Sequence, residues 1–271
     1  MPTPPPTGPL VTRDTVAAQL RLLGVRTGEI LLAHSSLSSL GWVNGAAVAV
    51  VQGLLDALGP DGTLVVPSQT GDLSDPAVWS NPPVPEEWWD RIRATMPAYD
   101  PLLTPTRGVG VIPETVRTWP GALRSAHPQT SFAAVGARAR EITDGHATDC
   151  RLGERSPLAR LEKLGARVLL LGAGYAACTS FHLAEYRIPG PLVAVGRPAP
   201  GGGWETVTEV AITSDRFDEL GHDFERDRPV VRGKVGAADV RLFPVADAVA
   251  YAERWLPLHR PREEEFLHPP V

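Results

Sequence analysis

Apolar residues recur at helical spacing through residues 12–23, where Val16, Leu20 and Leu23 make one stripe behind a capping residue, Thr12. Gly24 ends that helix. Residues 29–33 read as a short apolar strand, and residues 45–58 as a helix apolar on most faces and therefore buried. Residues 62–67 follow as a second strand, entered through the turn Gly59-Pro60-Asp61-Gly62. Helix, strand, helix and strand at this spacing predict a three-layer α/β/α fold with a largely parallel central sheet.

The pattern then breaks. Residues 68–107 carry Trp79, Trp88 and Trp89 among prolines and acids without clear periodicity, which predicts a wall or lid over a site. Helical periodicity returns at residues 109–119, 156–164 and 245–256, and residues 131–135 and 167–171 are further strands. Beyond Pro189, residues 206–212 alternate polar with apolar, as in a half-exposed antiparallel strand. The expected C-terminal region is accordingly a smaller antiparallel portion. The domain plan is a flexible proline-rich tail over residues 1–11 and one domain over residues 12–271.

Composition narrows the function classes. The chain has 271 residues, of which 43% are hydrophobic and 21% charged, as in an ordinary globular protein. A net charge of −5 disfavours nucleic acid as a partner and is compatible with a cationic one. Two cysteines, Cys150 and Cys178, support neither a disulfide scaffold nor a cysteine-rich zinc site. The seven histidines, His34, His127, His146, His182, His222, His259 and His268, lack the paired spacing of zinc ligands, so no metal is expected. There is no secretory signal pattern and no apolar run near the roughly 20 residues of a bilayer span. A cytoplasmic protein without a membrane partner, monomeric or homodimeric, is the expectation.

The chemistry concentrates where Val168-Leu169-Leu170-Leu171 runs into Gly172-Ala173-Gly174 and then Thr179-Ser180-Phe181-His182-Leu183-Ala184-Glu185. A buried strand, a glycine turn and a helix would set a base and an acid three residues apart on one helical face. Ligands of open α/β folds bind at the carboxyl ends of the strands. His182 is the candidate general base, since histidine titrates nearest neutrality. The nearest acid in sequence that could orient it is Glu185, one turn away. Cys178 offers a rival covalent route as a nucleophile, though a buried cysteine is more often a small hydrophobe.

Five stretches, in order along residues 12–190, together resemble the antibiotic N-acetyltransferase family, whose founding members are the aminoglycoside 3-N-acetyltransferases. They are His34-Ser35-Ser36-Leu37 with Gly41; Gly59-Pro60-Asp61-Gly62-Thr63-Leu64-Val65-Val66-Pro67; and Thr106-Arg107-Gly108-Val109-Gly110-Val111-Ile112-Pro113-Glu114. Arg124-Ser125-Ala126-His127-Pro128 with Ser131-Phe132-Ala133-Ala134-Val135-Gly136 is the fourth, and the His182 region is the fifth. The resemblance implies a fold unlike that of the GCN5-like acetyltransferases. It also implies acetyl-CoA as donor, an amine of an aminoglycoside as acceptor, direct transfer in a ternary complex, and a role in resistance.

By the same resemblance His182 is the catalytic histidine, and Asp215, with Asp218 nearly as good a match, is an acid brought in from the later antiparallel region. The CoA candidates are Ser35, Ser36 and Leu37, with free backbone N–H groups at a strand end. Thr106, Arg107, Gly108 and Val109 join them, Arg107 being suited to a phosphate, and Ser125 and Phe132 are weaker additions. Asp72 and Asp75 match a family region near the antibiotic, whereas Glu86 and Glu87 read better as a solvated loop face. His127, held extended by the proline after it, would shape the cofactor channel or contact the substrate and is second to His182 as a catalytic histidine. Two other readings remain: the same chemistry on another small amine, such as an antibiotic precursor or amino-phosphonate, or a non-catalytic CoA- or drug-binding protein. A serine hydrolase built on Ser35 or Ser36 is disfavoured, because no Gly-x-Ser-x-Gly elbow occurs.

Overall fold

The structure is a computed structural model that describes residues 7–260. His268, residues 1–6 of the proline-rich tail and the end of the proposed domain lie outside those residues. Within the tail, Val11 is fully buried, and its N–H donates to the Trp42 carbonyl (3.1 Å).

The chain begins with α1 (Arg13–Leu22), whose N-cap Thr12 accepts a hydrogen bond from the Thr15 N–H. Next come β1 (Ile30–Ser35), α2 (Ala46–Leu58) and β2 (Thr63–Pro67). The wall region contains two short 3-10 turns and α3 (Trp89–Thr95), none of whose residues is buried. Then follow α4 (Val111–Arg117), β3 (Leu123–Arg124), β4 (Phe132–Gly136), α5 (Ala139–Thr143), α6 (Pro157–Lys163), β5 (Arg167–Leu171) and α7 (Phe181–Arg187). Finally, β6 (Leu192–Pro198) pairs with β7 (Trp204–Val210), and α8 (Phe217–Asp227), β8 (Val231–Val235), β9 (Ala238–Pro244) and α9 (Val245–His259) complete the fold.

Alternation along the central strands divides the core into two layers. Leu31, Ala33, Leu64, Val66, Leu169 and Leu171 pack under α1, α2 and α4. Leu32, Val65, Val168 and Leu170 face the opposite way and pack under α5 to α9, where Phe181, Phe217, Phe224 and Trp255 fill the space. Helices therefore cover both faces of one sheet.

The largely parallel sheet predicted from the spacing is not what forms. The seven strands run in the order β3-β4-β2-β1-β5-β9-β8. Only β1–β2 and β1–β5 are parallel, while β2–β4, β3–β4, β5–β9 and β8–β9 are antiparallel. A strand covered by helices on both faces reads as a continuous apolar run whichever way it points, so hydrophobicity could not reveal direction. The antiparallel C-terminal portion is also divided. β6 and β7 form a separate two-stranded ribbon, whereas β8 and β9 extend the main sheet beside β5.

Candidate active site

The two parallel pairings bring the carboxyl ends of β1 and β5 together, with Ser35 opposite Leu171 and the Ser36 N–H donating to the Leu171 carbonyl (3.0 Å). Gly172 turns the chain at φ 67°, and a Cβ there would lie 2.5 Å from the Ser39 Cβ. A side chain at that point would therefore push the loop after β1 out of place. Beyond the turn, α7 begins at Phe181, and its first two turns present His182 and Glu185.

These two side chains are bonded. His182 Nδ1 lies 2.6 Å from Glu185 Oε2, with the side chains 12% and 6% exposed. With the carboxylate as acceptor, Nδ1 carries the hydrogen and Nε2 keeps a lone pair, the tautomer a base requires. The other oxygen, Oε1, accepts the Thr213 N–H (3.2 Å) and an Arg260 guanidinium N–H. Phe217 packs its ring 4.8 Å from the His182 ring. His34, the residue before Ser35, is buried beside this pair. Burial and the neighbouring His182 push its ring down to about 3, so it is neutral, and its Nε2 lies 3.4 Å from Thr179 Oγ1.

A cavity of about 710 Å³ opens at the same strand ends, lined by residues 35–38, 41–43, 46 and 108–111. It gathers Ser35, Ser36, Leu37, Gly108 and Val109, residues separated in sequence by some seventy positions. Gly110, at φ 88° and ψ 174°, gives the second lining segment a conformation nearly confined to glycine. Ser35 Oγ is buried and has no hydrogen-bond partner among the described residues, so a polar ligand group would satisfy it. Arg107 adjoins the lining, exposed, with its N–H on the Gln69 carbonyl (2.8 Å). Thr106 donates its N–H to Glu114 (3.0 Å). Ser125 and Phe132 are placed elsewhere. Phe132 is fully buried core, and Ser125 Oγ accepts the Phe132 N–H (2.9 Å) and meets His146 Nδ1 (2.9 Å).

Of the three acids weighed as partner for the base, only Glu185 reaches it. The Asp215 side chain is exposed, and Asp218 accepts the Ala176 N–H (2.9 Å), pinning the turn between β5 and α7. Asp72 is exposed and faces Arg107 at 3.6 Å. Asp75 is already engaged: it caps Ala77 and takes two bonds from Arg93 (2.7 and 3.1 Å). Burial works against its charge, but the Arg93 guanidinium and the Ala77 N–H hold its carboxyl below the usual range. Glu86 and Glu87 are exposed on the wall.

His127 is fully buried in a polar network beneath the β6–β7 ribbon. Its Nδ1 accepts the Gln129 and Thr130 N–H groups (both 3.1 Å), and its Nε2 lies 3.8 Å from Glu209. Burial pushes the ring down despite that carboxylate. Arg197, 1% exposed, joins the network through Glu205 (2.8 Å), and Glu209 also takes the Tyr186 hydroxyl of α7 (2.9 Å). His127 thus braces the ribbon against the site helix.

Periodicity overlooked Glu209, because an alternating strand assigns its charged residues to solvent, and Arg197, because its glycine- and proline-rich stretch carries no pattern. Arg260 was also missed. Its only signal was a basic residue ending the last helix.

Cys178 is fully buried, and burial pushes its thiol up to about 12 despite the Ser180 hydroxyl; such a thiol supplies almost no thiolate at neutral pH. Among the described residues no cluster of three or more metal-ligating side chains occurs, and no helix is long and apolar enough to cross a membrane.

Comparison with known proteins supplies independent evidence. A family profile described as aminoglycoside 3-N-acetyltransferase matches residues 32–257. The chain is 46% identical over 253 residues to the SPbeta prophage-derived aminoglycoside N(3')-acetyltransferase-like protein YokD of Bacillus subtilis (strain 168), covering 90% of this chain and 92% of the relative. The YokD crystal structure superposes with a TM-score of 0.90, over 92% of this chain and 94% of the other. AAC-IIIb, solved in binary complex with CoASH, is 32% identical with a TM-score of 0.78, over 92% and 97% of the two chains. AAC-VIa bound to sisomicin is 30% identical with a TM-score of 0.80, over 92% and 98%.

Proposed function

The chain belongs to the aminoglycoside 3-N-acetyltransferase family, and from that membership we infer that it transfers an acetyl group from acetyl-CoA to an amine of an aminoglycoside antibiotic. Related structures hold CoASH and sisomicin, one for each side of that reaction. The observation that carries the reading in this chain is the His182–Glu185 pair, 2.6 Å apart, at the strand ends that also open the cavity.

An aliphatic ammonium has no lone pair, so one proton must leave it before attack, and a second leaves the nitrogen as the amide forms. The first proton passes to solvent, and His182 Nε2 takes the second as the nitrogen bonds to the thioester carbon. The same imidazolium can return it to the sulfur as the carbon–sulfur bond breaks, which releases free thiol. Glu185 holds the ring in its tautomer and stabilises the imidazolium, as the acid of a serine-protease triad does. The Ser36 N–H, expected to be free, is spent on the Leu171 carbonyl, so the Leu37 N–H and the unpaired Ser35 hydroxyl meet the donor's polar arm, and Arg107 its phosphates. Direct transfer between donor and acceptor needs no acetyl-thiol at Cys178.

Polycationic antibiotics call for carboxylates. Asp72, exposed and 3.6 Å from Arg107, is the freer of the two predicted acids, while Asp75 supports the wall through Arg93. Acetylation at the 3-amino group, a role in resistance and a cytoplasmic place of action, where acetyl-CoA is made, complete the proposal.

The test incubates the protein with acetyl-CoA and a panel of deoxystreptamine aminoglycosides, following thiol release and locating the acetyl group by NMR. Monoacetylation at the 3-amino nitrogen is expected. Turnover of other amines, with none of any deoxystreptamine compound, would reject the acceptor.

A further inference from the structure

Arg260 closes the last helix, 75 residues from Glu185 in sequence, yet its guanidinium reaches the site. One Nη1–H donates to Glu185 Oε1. Nη2 donates to the Thr213 carbonyl (2.7 Å) and Nε to the Asp215 carbonyl (3.1 Å). The plane lies over the Phe217 ring at 5.1 Å, the same ring that packs against His182. With its side chain 21% exposed, this arginine is held on three sides. Each nitrogen has a fixed acceptor, an arrangement the planar guanidinium suits and a lysine cannot reproduce.

Glu185 therefore carries two different loads. Oε2 serves His182, while Oε1 is occupied by Arg260 and the Thr213 N–H. We propose that Arg260 is a positioning residue of this site: it confines Glu185 to a single bond with His182 and sets the pH above which the imidazole is free to take a proton. The proposal rests on His182 being the general base.

A bare carboxylate would hold the imidazolium proton too tightly, and the ring would be charged when the attacking amine must lose its proton. A cation on the far oxygen offsets that pull without removing the bond that fixes the tautomer. Other groups around the ring are already committed. His34 on β1 is neutral, pushed down to about 3 by burial, and Cys178 is a neutral thiol, pushed up to about 12 by burial. At the start of α8, Arg216 pairs with Glu219 (2.6 Å), Asp218 accepts the Ala176 N–H, and the Asp215 carboxylate is exposed. His259 bonds the Trp255 carbonyl (2.8 Å), and Arg187, Glu154, Glu162 and Glu253 form a cluster at the far end of α7. Tyr186 is bonded to Glu209. Arg260 alone among these touches the partner of the base.

The full chain with Arg260→Gln, which removes the charge but keeps amide donors, and with Arg260→Lys, which keeps the charge but loses the fork, separates positioning from tethering. The His182 imidazole is titrated by NMR without substrates, a readout independent of which amine is the acceptor, and kcat/KM is then followed against pH. Arg260→Gln should move the imidazole midpoint and the acid limb of the profile upward together by about one pH unit, as loss of a nearby charge dictates. Activity would fall about tenfold on the acid side and change little on the alkaline plateau. Arg260→Lys should bring the midpoint back to the original, even with lower thermal stability. If Arg260→Gln does not fold, Arg260→Met, which keeps the stem over Phe217 and removes the charge, takes its place with the same expected shift. A loss equal at every pH with no movement of the midpoint in the uncharged variant would reduce Arg260 to a tether and overturn the proposal.

Discussion

Replacing Glu185 by Gln tests the heart of the site. The carboxylate has two oxygens with different duties: Oε2 accepts from His182, and Oε1 accepts from the Thr213 N–H and Arg260. A carboxamide has only one acceptor oxygen. The guanidinium and the backbone N–H can only donate, so they would claim that oxygen and turn the amide NH₂ toward His182 Nδ1. The ring would then accept at Nδ1 and carry its hydrogen on Nε2, where no base can act.

Two losses follow. An imidazolium deprived of its ionic hydrogen bond forfeits about 1.5–3 kcal/mol, or roughly ten- to 150-fold in rate. Reversal of the tautomer adds to this, and in the analogous acid-to-amide change of a serine protease the total approaches about 10⁴-fold. The assay is thiol release from acetyl-CoA at saturating acceptor, with CoA affinity measured separately by calorimetry. CoA binding should stay within about threefold, because the cavity lining at residues 35–38 and 108–111 does not include Glu185. A folded Glu185→Gln protein losing less than about tenfold in kcat would refute the assignment of Glu185 as the orienting acid.

Three further outcomes follow from the geometry. Burial holds His34 and His146 neutral in the folded chain, each down to about 3, so the unfolded chain takes up protons first. Stability is full above about pH 6.5 and falls by about 1.4 kcal/mol per pH unit for each ring as the medium is acidified toward their folded values. In denaturant titrations between those limits His146→Gln should remove one such increment from the slope; an unchanged slope contradicts this. Gly172→Ala places a methyl 2.5 Å from the Ser39 Cβ at φ 67°. It should cost about 2–5 kcal/mol of stability and weaken CoA binding, whereas a wild-type unfolding midpoint would show the turn to be adaptable. Cys178, fully buried with its thiol pushed up to about 12 by burial, should resist iodoacetamide in the native protein, and Cys178→Ala should keep its turnover. Rapid alkylation with matching inactivation would revive the covalent route.

The parts of the site legible in the sequence are those contiguous along the chain. An i,i+3 pair shares one helix face, so spacing set His182 and Glu185 side by side but left Asp215 and Asp218 as rivals for the bond. A strand running into a loop likewise marked residues 35–37, and the paired glycines 108 and 110 marked the second lining segment. What stayed hidden depended on contacts distant in sequence. Strand direction is decided by which segments pair, so β4 and β9 entered the sheet antiparallel without altering their apolar runs. Asp215 and Asp218 stood out as acids near the expected region, but the turn into α8 leaves one exposed and spends the other on a backbone N–H. Ser125 and Phe132 belonged to a matching motif, but here Ser125 bonds the Phe132 N–H and His146 while Phe132 packs in the core. Arg197 and Glu209 satisfy each other inside the protein, where a pattern rule expects hydrophobes.

The most direct test compares the unaltered protein with His182→Ala, using acetyl-CoA and kanamycin, with mass spectrometry of the products and calorimetry of CoA binding. A single acetyl addition and equal release of thiol should appear with the unaltered protein. His182→Ala should bind CoA with similar affinity and acetylate at least about 10²-fold more slowly. Undiminished acetylation by His182→Ala would contradict the central claim.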